Sequence, residues 1–164
     1  MRRLLPELGP KEPGVLVQVR GPRPEDRMVH GRGTADLSTG EPLSADSIFY
    51  VGSLAKQFVA ACVAILVHER AIGLQDPIGS YVPKLPGWGE NVHLEHLIHH
   101  TGGLPHVYRP SGGIDPVGVP AWGNDDLLEE IRAIPDPMDE PGTRHVYTGD
   151  GYLLLAEVVA RAAG

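Results

Sequence analysis

The feature that most constrains the fold is an uninterrupted apolar run at residues 58–67, with the sequence FVAACVAILV. A helix that is apolar on all sides has to be covered by other elements of the protein. The run is well below the roughly 20 residues needed to cross a membrane. We therefore predict a buried central helix that organises a globular domain, with Cys62 as one of its small core residues.

A Ser-x-x-Lys motif, formed by Ser53 and Lys56, stands directly before the apolar run. Residues three apart share one face of a helix, so the Lys56 amine can lie beside the Ser53 hydroxyl. Serine acts as a nucleophile when a neighbouring group takes its proton, and burial favours the neutral amine that can do so. The free backbone N–H groups at a helix start can also hold an oxyanion. One turn of chain can therefore supply a nucleophile, a base and part of an oxyanion hole.

The spacing alone also fits a structural interpretation, in which Ser53 caps a helix and Lys56 is a solvated charge. Serine is a favoured N-cap residue, and a chain with 6 serines and 3 lysines produces such a pair readily by chance. The apolar run that follows Lys56 favours the catalytic interpretation, because a lone lysine beside a buried helix is poorly explained as a surface charge.

Composition excludes several function classes. The net charge of the 164 residues is −7, without a basic stripe, so we predict no nucleic-acid partner. One cysteine allows no internal disulfide. Residues 1–14 carry two arginines but no apolar stretch before Pro6 and Pro10, which does not resemble a secretion signal. We therefore expect a cytoplasmic protein with no membrane partner.

The chain divides into strands followed by helices. Residues 14–20 and 27–36 have strand character and flank a turn at residues 21–26, which predicts a hairpin. We predict strands and a lead-in over 14–50 and a mainly helical region over 51–164. The predicted helices are a lead at 3–8, the central helix to about 69–70, and segments 92–100, 124–134 (capped by Asn124) and 152–163. A Gly/Pro-rich loop spans 106–123.

Several segments occur in the order found in one family. The chain resembles the N-terminal part of the class C β-lactamase and penicillin-binding-protein-like serine hydrolases. The matching segments are HGRGTADLSTGEPLSADSIFYVGSLAKQF, GLQDPIGSYVPKLP, LEHLIHHTGGLP and EPGTRHVYTGDGYLLLAEVVARAAG. Together they cover most of residues 14–164. A single motif would carry little weight, but four motifs in family order are specific.

The resemblance implies an α/β (α+β) fold in which residues 1–164 form a partial β-lactamase-like domain. This part contains a helical subdomain and the first two strands of an antiparallel sheet, without the C-terminal strands. It also implies that Ser53 is acylated by an ester, amide or lactam carbonyl and that Lys56 is its proton acceptor or electrostatic partner. Tyr147 occupies the place of the tyrosine in the family's Tyr-x-Asn motif and would be the acid/base. A tyrosine with a pKa near 10 needs a nearby cation such as Lys56 to work at neutral pH.

The sequence departs from the family pattern in two places. Gly149 replaces the motif asparagine, and Asp150 is the neighbouring group that could substitute for it, so both are our predicted substrate-binding residues. This change weakens the expectation of amide and lactam recognition more than that of ester cleavage. The third family motif, Lys or His before a Gly, is also absent, because no lysine follows Lys84 and no histidine follows His145.

Three hypotheses follow. The favoured one is a cofactor-free, cytoplasmic serine hydrolase of the esterase or peptidase type, acting on a small-molecule substrate. The alternative is a truncated or non-catalytic scaffold whose missing strands come from a second chain or a swapped dimer. Without those strands, one helix face of the scaffold would be uncovered. A third is a metal protein built on His93, His96 and His100, which fall at helical spacings. We predict no metal site, since no His-Glu-x-x-His occurs and the resemblance makes His100 structural.

Overall fold

A computed structural model describes residues 8–9, 11–107 and 123–164. The predicted helical lead at 3–8 and loop at 106–123 lie almost wholly outside the described residues. The chain divides into two compact units, Met1–Val51 and Gly52–Gly164.

The first unit contains the predicted hairpin. Strands β1 (Val15–Val19) and β2 (Met28–Arg32) pair antiparallel, with Val15 opposite Arg32 and Val19 opposite Met28. The connection includes a 3-10 turn at Pro24–Asp26, held by an Arg23–Asp26 ion pair at 2.8 Å.

We predicted one strand at residues 27–36, and the structure has two there, so the prediction of a continuous strand was wrong. After β2, strand β3 (Thr34–Asp36) pairs instead with β4 (Glu41–Pro42) to form a second two-stranded sheet. Gly33 separates them with a φ of 83°, and a Cβ at Gly33 would lie 2.7 Å from the Gly14 Cα. This close approach and the left-handed backbone require glycine, and they redirect the chain between the two sheets.

The second unit is helical, as predicted. Its helices are α1 (Ala55–His68), α2 (Leu94–Ile98), α3 (Asn124–Arg132) and α4 (Asp150–Ala163). Helix α4 contacts each of the other three. The core around it is aliphatic, with buried side chains that include Val63, Leu66, Leu94, Leu97, Leu128, Ile131, Leu154, Leu155 and Val158.

The helix boundaries differ from the predicted ones at three places. Helix α2 is five residues long and ends before His100, whose φ of 55° lies outside the helical region. Gly123, not Asn124, is the N-cap of α3, and its N–H donates to the Asp126 carboxylate at 2.8 Å. Helix α4 begins two residues earlier than predicted, at Asp150.

The prediction that α1 is buried on all sides was wrong. Along α1, all of which the structure describes, only Val63 and Leu66 are buried, whereas Phe58 is 69% exposed and Ile65 is 56% exposed. Cys62 is also exposed, so its predicted core position was wrong as well. Apolar composition shows that a helix can be covered but not which side its neighbours occupy. An uncovered helix face is what the scaffold hypothesis anticipates.

Within the described part of the chain, no helix has the length and apolar character required to cross a membrane.

Candidate active site

Ser53 lies in a tight turn at the start of α1. The 3-10 turn Gly52–Leu54 leads directly into the helix, and Gly52 has a φ of 52°. The first N–H groups of a helix have no partner within it, so the backbone around Ser53 can donate to an anion. The turn therefore presents an exposed hydroxyl beside backbone donors.

Three predicted catalytic side chains meet at the Ser53 hydroxyl oxygen. The Lys56 amine donates to Ser53 Oγ at 3.3 Å, as the helical spacing predicts. The Tyr147 hydroxyl donates to the same oxygen at 2.7 Å, although 94 residues separate the two in sequence. Lys56 Nζ also lies 5.1 Å from the centre of the Tyr147 ring. The structure thus brings the predicted nucleophile, cation and acid/base together.

The surroundings of Tyr147 favour its ionised form. Hydrogen bonds with Ser53 and then with Lys56 hold the pKa of the Tyr147 hydroxyl below its ordinary value of 10, and the positive charge of Lys56 adds to the effect. Desolvation raises the Tyr147 pKa by less than either hydrogen bond lowers it, which agrees with the 56% exposure of Tyr147. A phenol with a lowered pKa is a better proton acceptor near neutral pH.

The loop that carries Tyr147 is attached to the turn after α2. The Val146 N–H donates to the His100 carbonyl at 2.8 Å, and the Gly142 N–H donates to the Thr101 carbonyl at the same distance. The His100 ring lies 4.5 Å from the Tyr147 ring, centre to centre. From the sequence we predicted that His100 is structural, with a histidine cluster as the alternative. Its contact with Tyr147 was not predicted, because no local pattern shows which distant residue a side chain meets.

Gly149 and Asp150 occupy different environments. Gly149 is the N-cap of α4, and a Cβ there would meet no atom within 4 Å. Asp150 is 1% exposed, and its carboxylate lies 2.7 Å from His106 Nδ1. Direct contact between Asp150 and a substrate would require the carboxylate to leave this pair. The substrate-binding roles of both residues stay predictions.

The histidine cluster is a poor fit to a metal ion. His93, Glu95 and His96 each offer an atom within 4.8 Å of the others. The centres of the two imidazole rings are 5.0 Å apart and their planes are stacked at an angle of only 10°. Their lone pairs therefore lie in two separate, nearly parallel planes, which is unfavourable for binding one ion. His96 Nδ1 also accepts the His93 N–H at 3.1 Å, and burial is the main cause that lowers the His96 pKa. His100 lies outside this group.

Comparison with known proteins identifies the family. The family model described as Beta-lactamase matches residues 9–164. The chain belongs to the Beta-lactamase family. Solved structures similar to this chain include a penicillin-binding protein homologue and class C β-lactamases, and the chain itself contains helices and small antiparallel sheets, which agrees with the predicted α/β class.

Individual relatives are longer than this chain. The chain is 29% identical to penicillin-binding protein 4* of Bacillus subtilis over 138 residues, covering 82% of this chain and 30% of that protein. It is 28% identical to the esterase EstB of Burkholderia gladioli over 146 residues, covering 81% and 37%. The octameric penicillin-binding protein homologue from Pyrococcus abyssi has a TM-score of 0.77 at 27% identity, covering 94% of this chain and 36% of that one. The chain thus spans about a third of the length of these relatives.

Proposed function

We propose that this chain carries the acylation centre of a serine hydrolase that cleaves small esters through a Ser53 acyl-enzyme. The observation that carries the proposal is the double hydrogen bond to Ser53 Oγ, from Lys56 Nζ at 3.3 Å and from the Tyr147 hydroxyl at 2.7 Å.

In the proposed reaction, Tyr147 first ionises, so that its hydrogen bond with Ser53 reverses and the Ser53 hydroxyl donates to the phenolate. Ionised Tyr147 then takes the Ser53 proton as Ser53 Oγ attacks the substrate carbonyl. The Ser53 backbone N–H donates to the oxyanion that develops. When the bond from the carbonyl carbon to the leaving oxygen breaks, Tyr147 returns the proton to the leaving group. A water molecule then hydrolyses the Ser53 ester, with Tyr147 as its base. The Lys56 ammonium stabilises the phenolate throughout.

Ester cleavage is favoured over amide or lactam cleavage because of Gly149. In the family motif an asparagine at this position contacts the substrate amide, and glycine has no side chain to do so. An ester alcohol is also a better leaving group than an amine, so it depends less on such a contact. The similarity to an esterase of Burkholderia gladioli supports this choice.

A second candidate, a scaffold completed by another chain, is favoured by the open surroundings of the site. Tyr147 is 56% exposed and Phe58, on the neighbouring helix α1, is 69% exposed. We infer that a further polypeptide segment, from a second chain or a swapped copy, covers this face in the active assembly. The related Pyrococcus abyssi protein is an octamer, which supports association as one route.

Labelling with a fluorophosphonate probe tests the proposal. The chain is incubated with the probe, a chromogenic ester and a chromogenic cephalosporin, beside Ser53→Ala and the control Ser80→Ala, which alters another exposed serine. We expect labelling and ester turnover in the parent and in Ser80→Ala, and neither in Ser53→Ala. Labelling that persists in Ser53→Ala contradicts the proposed nucleophile. The absence of any labelling of the chain alone favours the scaffold.

The cytoplasmic location also stays a prediction. Fractionation of cells producing the protein tests it, and recovery outside the cytoplasm would contradict it.

A further inference from the structure

His100 contacts the Tyr147 loop through both its backbone and its ring. Its carbonyl accepts the Val146 N–H at 2.8 Å, and its ring Nδ1 accepts the Thr148 N–H at a longer 3.5 Å. The residues on either side of Tyr147 are therefore bonded to one histidine. The ring itself packs against Tyr147 at 4.5 Å, tilted by 42°.

The backbone of His100 is held in an uncommon conformation to make these contacts. Its φ of 55° is in the left-handed region, which side-chain-bearing residues adopt infrequently. This conformation follows the end of α2. The His100 ring lies against the Tyr147 loop, and the ring of Tyr152 on α4 lies 5.1 Å from the His100 ring, centre to centre. Non-glycine residues in this region are concentrated at functional sites.

The contact with the Thr148 N–H favours a neutral His100 ring. A backbone N–H can only donate, so Nδ1 must carry a lone pair and the proton of a neutral ring must be on Nε2. A protonated ring would place a second N–H donor against Thr148 N–H. It would also place a positive charge near the Lys56 ammonium, the cation that stabilises ionised Tyr147.

We propose that His100, in its neutral form, is a positioning residue that holds Tyr147 against Ser53, and that its protonation releases the Tyr147 loop. The proposal rests on the proposed function, because it assigns His100 to the acid/base of that site. It goes beyond a structural role, since it makes the alignment of Tyr147 depend on pH.

The groups that face His100 agree with this role. They are Lys56 on α1, His145 and Tyr147 on the loop, and Tyr152 on α4. Burial first, and then the positive charges of His145 and Lys56, hold the His100 pKa below its ordinary value of 6.5. The ring is therefore neutral at neutral pH, and it gains its proton only as the pH falls below that value.

Two substitutions separate the functions of the ring. His100→Asn keeps an acceptor at the place of Nδ1 and tolerates positive φ, but it has no titrating group. His100→Phe keeps a ring but removes the acceptor. His145→Asn is the matched control, because it removes the neighbouring imidazole and leaves His100 in place.

The experiment measures kcat/KM for the chromogenic ester as a function of pH. We expect kcat/KM of the parent to fall in two steps as the pH decreases, because ionised Tyr147 is protonated and because His100 is protonated below about pH 6.5. His100→Asn should retain kcat/KM within about tenfold at neutral pH and lose the His100 step while keeping the Tyr147 step, whereas kcat/KM of His100→Phe should fall about 100-fold. In His145→Asn the His100 step should move to higher pH, since a positive charge that lowers the His100 pKa is gone. A pH profile of His100→Asn that matches that of the parent, or near-parental activity in His100→Phe, would overturn the proposal.

A second measurement does not depend on turnover. The ionisation of Tyr147 is followed by the ultraviolet absorbance of phenolate, as the difference between each protein and the same protein with Tyr147→Phe. We expect the Tyr147 pKa to rise toward 10 in His100→Phe, because the hydroxyl moves away from Ser53 and Lys56, and to stay low in His100→Asn. An unshifted Tyr147 in His100→Phe refutes the positioning role even if the chain has no activity. If Ser53 is not labelled in the parent but His100→Phe shows the expected absorbance shift, only the proposed function is refuted.

Discussion

Replacing Gly103 with alanine tests how tightly the turn after α2 is packed. Gly103 has a φ of 69°, and a Cβ built there would overlap the carbonyl oxygen of Asp139 and lie 2.9 Å from its carbonyl carbon. The Gly103 carbonyl also accepts the Met138 N–H at 2.8 Å. Both contacts are with backbone, which cannot rotate away as a flexible side chain does. The loop at Met138 and Asp139 would have to move.

The expected loss of stability has three parts. Left-handed φ costs alanine about 1 kcal/mol, weakening the Met138 hydrogen bond costs about 1 kcal/mol, and the overpacking itself costs at least about 1 kcal/mol. Gly103→Ala should therefore lower the free energy of unfolding by about 3 kcal/mol, which lowers Tm by roughly 6–12 °C in a domain of this size.

Gly149→Ala is the matched control for this substitution. Gly149 has a φ of −79°, and its Cβ position is open, so the same change should alter the free energy of unfolding by less than about 0.5 kcal/mol. Urea denaturation followed by circular dichroism measures both variants. If Gly103→Ala is as stable as Gly149→Ala, the close approach of the Gly103 turn to Asp139 is refuted.

Three further substitutions test the candidate site. Tyr147→Phe should lower ester kcat about 10²–10⁴-fold without blocking substrate binding, and a smaller loss would exclude Tyr147 as the acid/base for Ser53. Gly149→Asn should fold normally, because its Cβ meets no atom within 4 Å, and should raise amide relative to ester turnover; an unchanged ratio would contradict the role given to Gly149. Asp150→Asn should lower stability by about 1–3 kcal/mol in urea denaturation, because it weakens the contact between the buried Asp150 carboxylate and His106. A change in KM with parental stability would instead indicate that Asp150 binds substrate.

The hairpin and the main helices were predictable because their signals are local. A valine-rich run at residues 15–19 and the turn at residues 21–26 mark the hairpin of β1 and β2, and long apolar segments mark α1 and α4. The break at Gly33 was not predicted, since a positive φ is visible only where the backbone of Gly14 approaches it. The exposure of α1 was missed for a related reason. The apolar residues of α1 resemble a buried helix whether or not a neighbour covers Phe58.

The active-site residues differ in how far sequence alone could assign them. Ser53 and Lys56 are one helical turn apart, so helix geometry by itself places the amine beside the hydroxyl. Tyr147 is 94 residues away, and its contact with Ser53 depends on the packing of α1 against α4 and on the loop held by His100. Local spacing therefore predicted the contact between the Lys56 amine and the Ser53 hydroxyl. The family resemblance pointed to Tyr147, but only the tertiary structure showed that Tyr147 contacts Ser53 and that His100 holds its loop, because contacts between distant residues depend on how the helices pack.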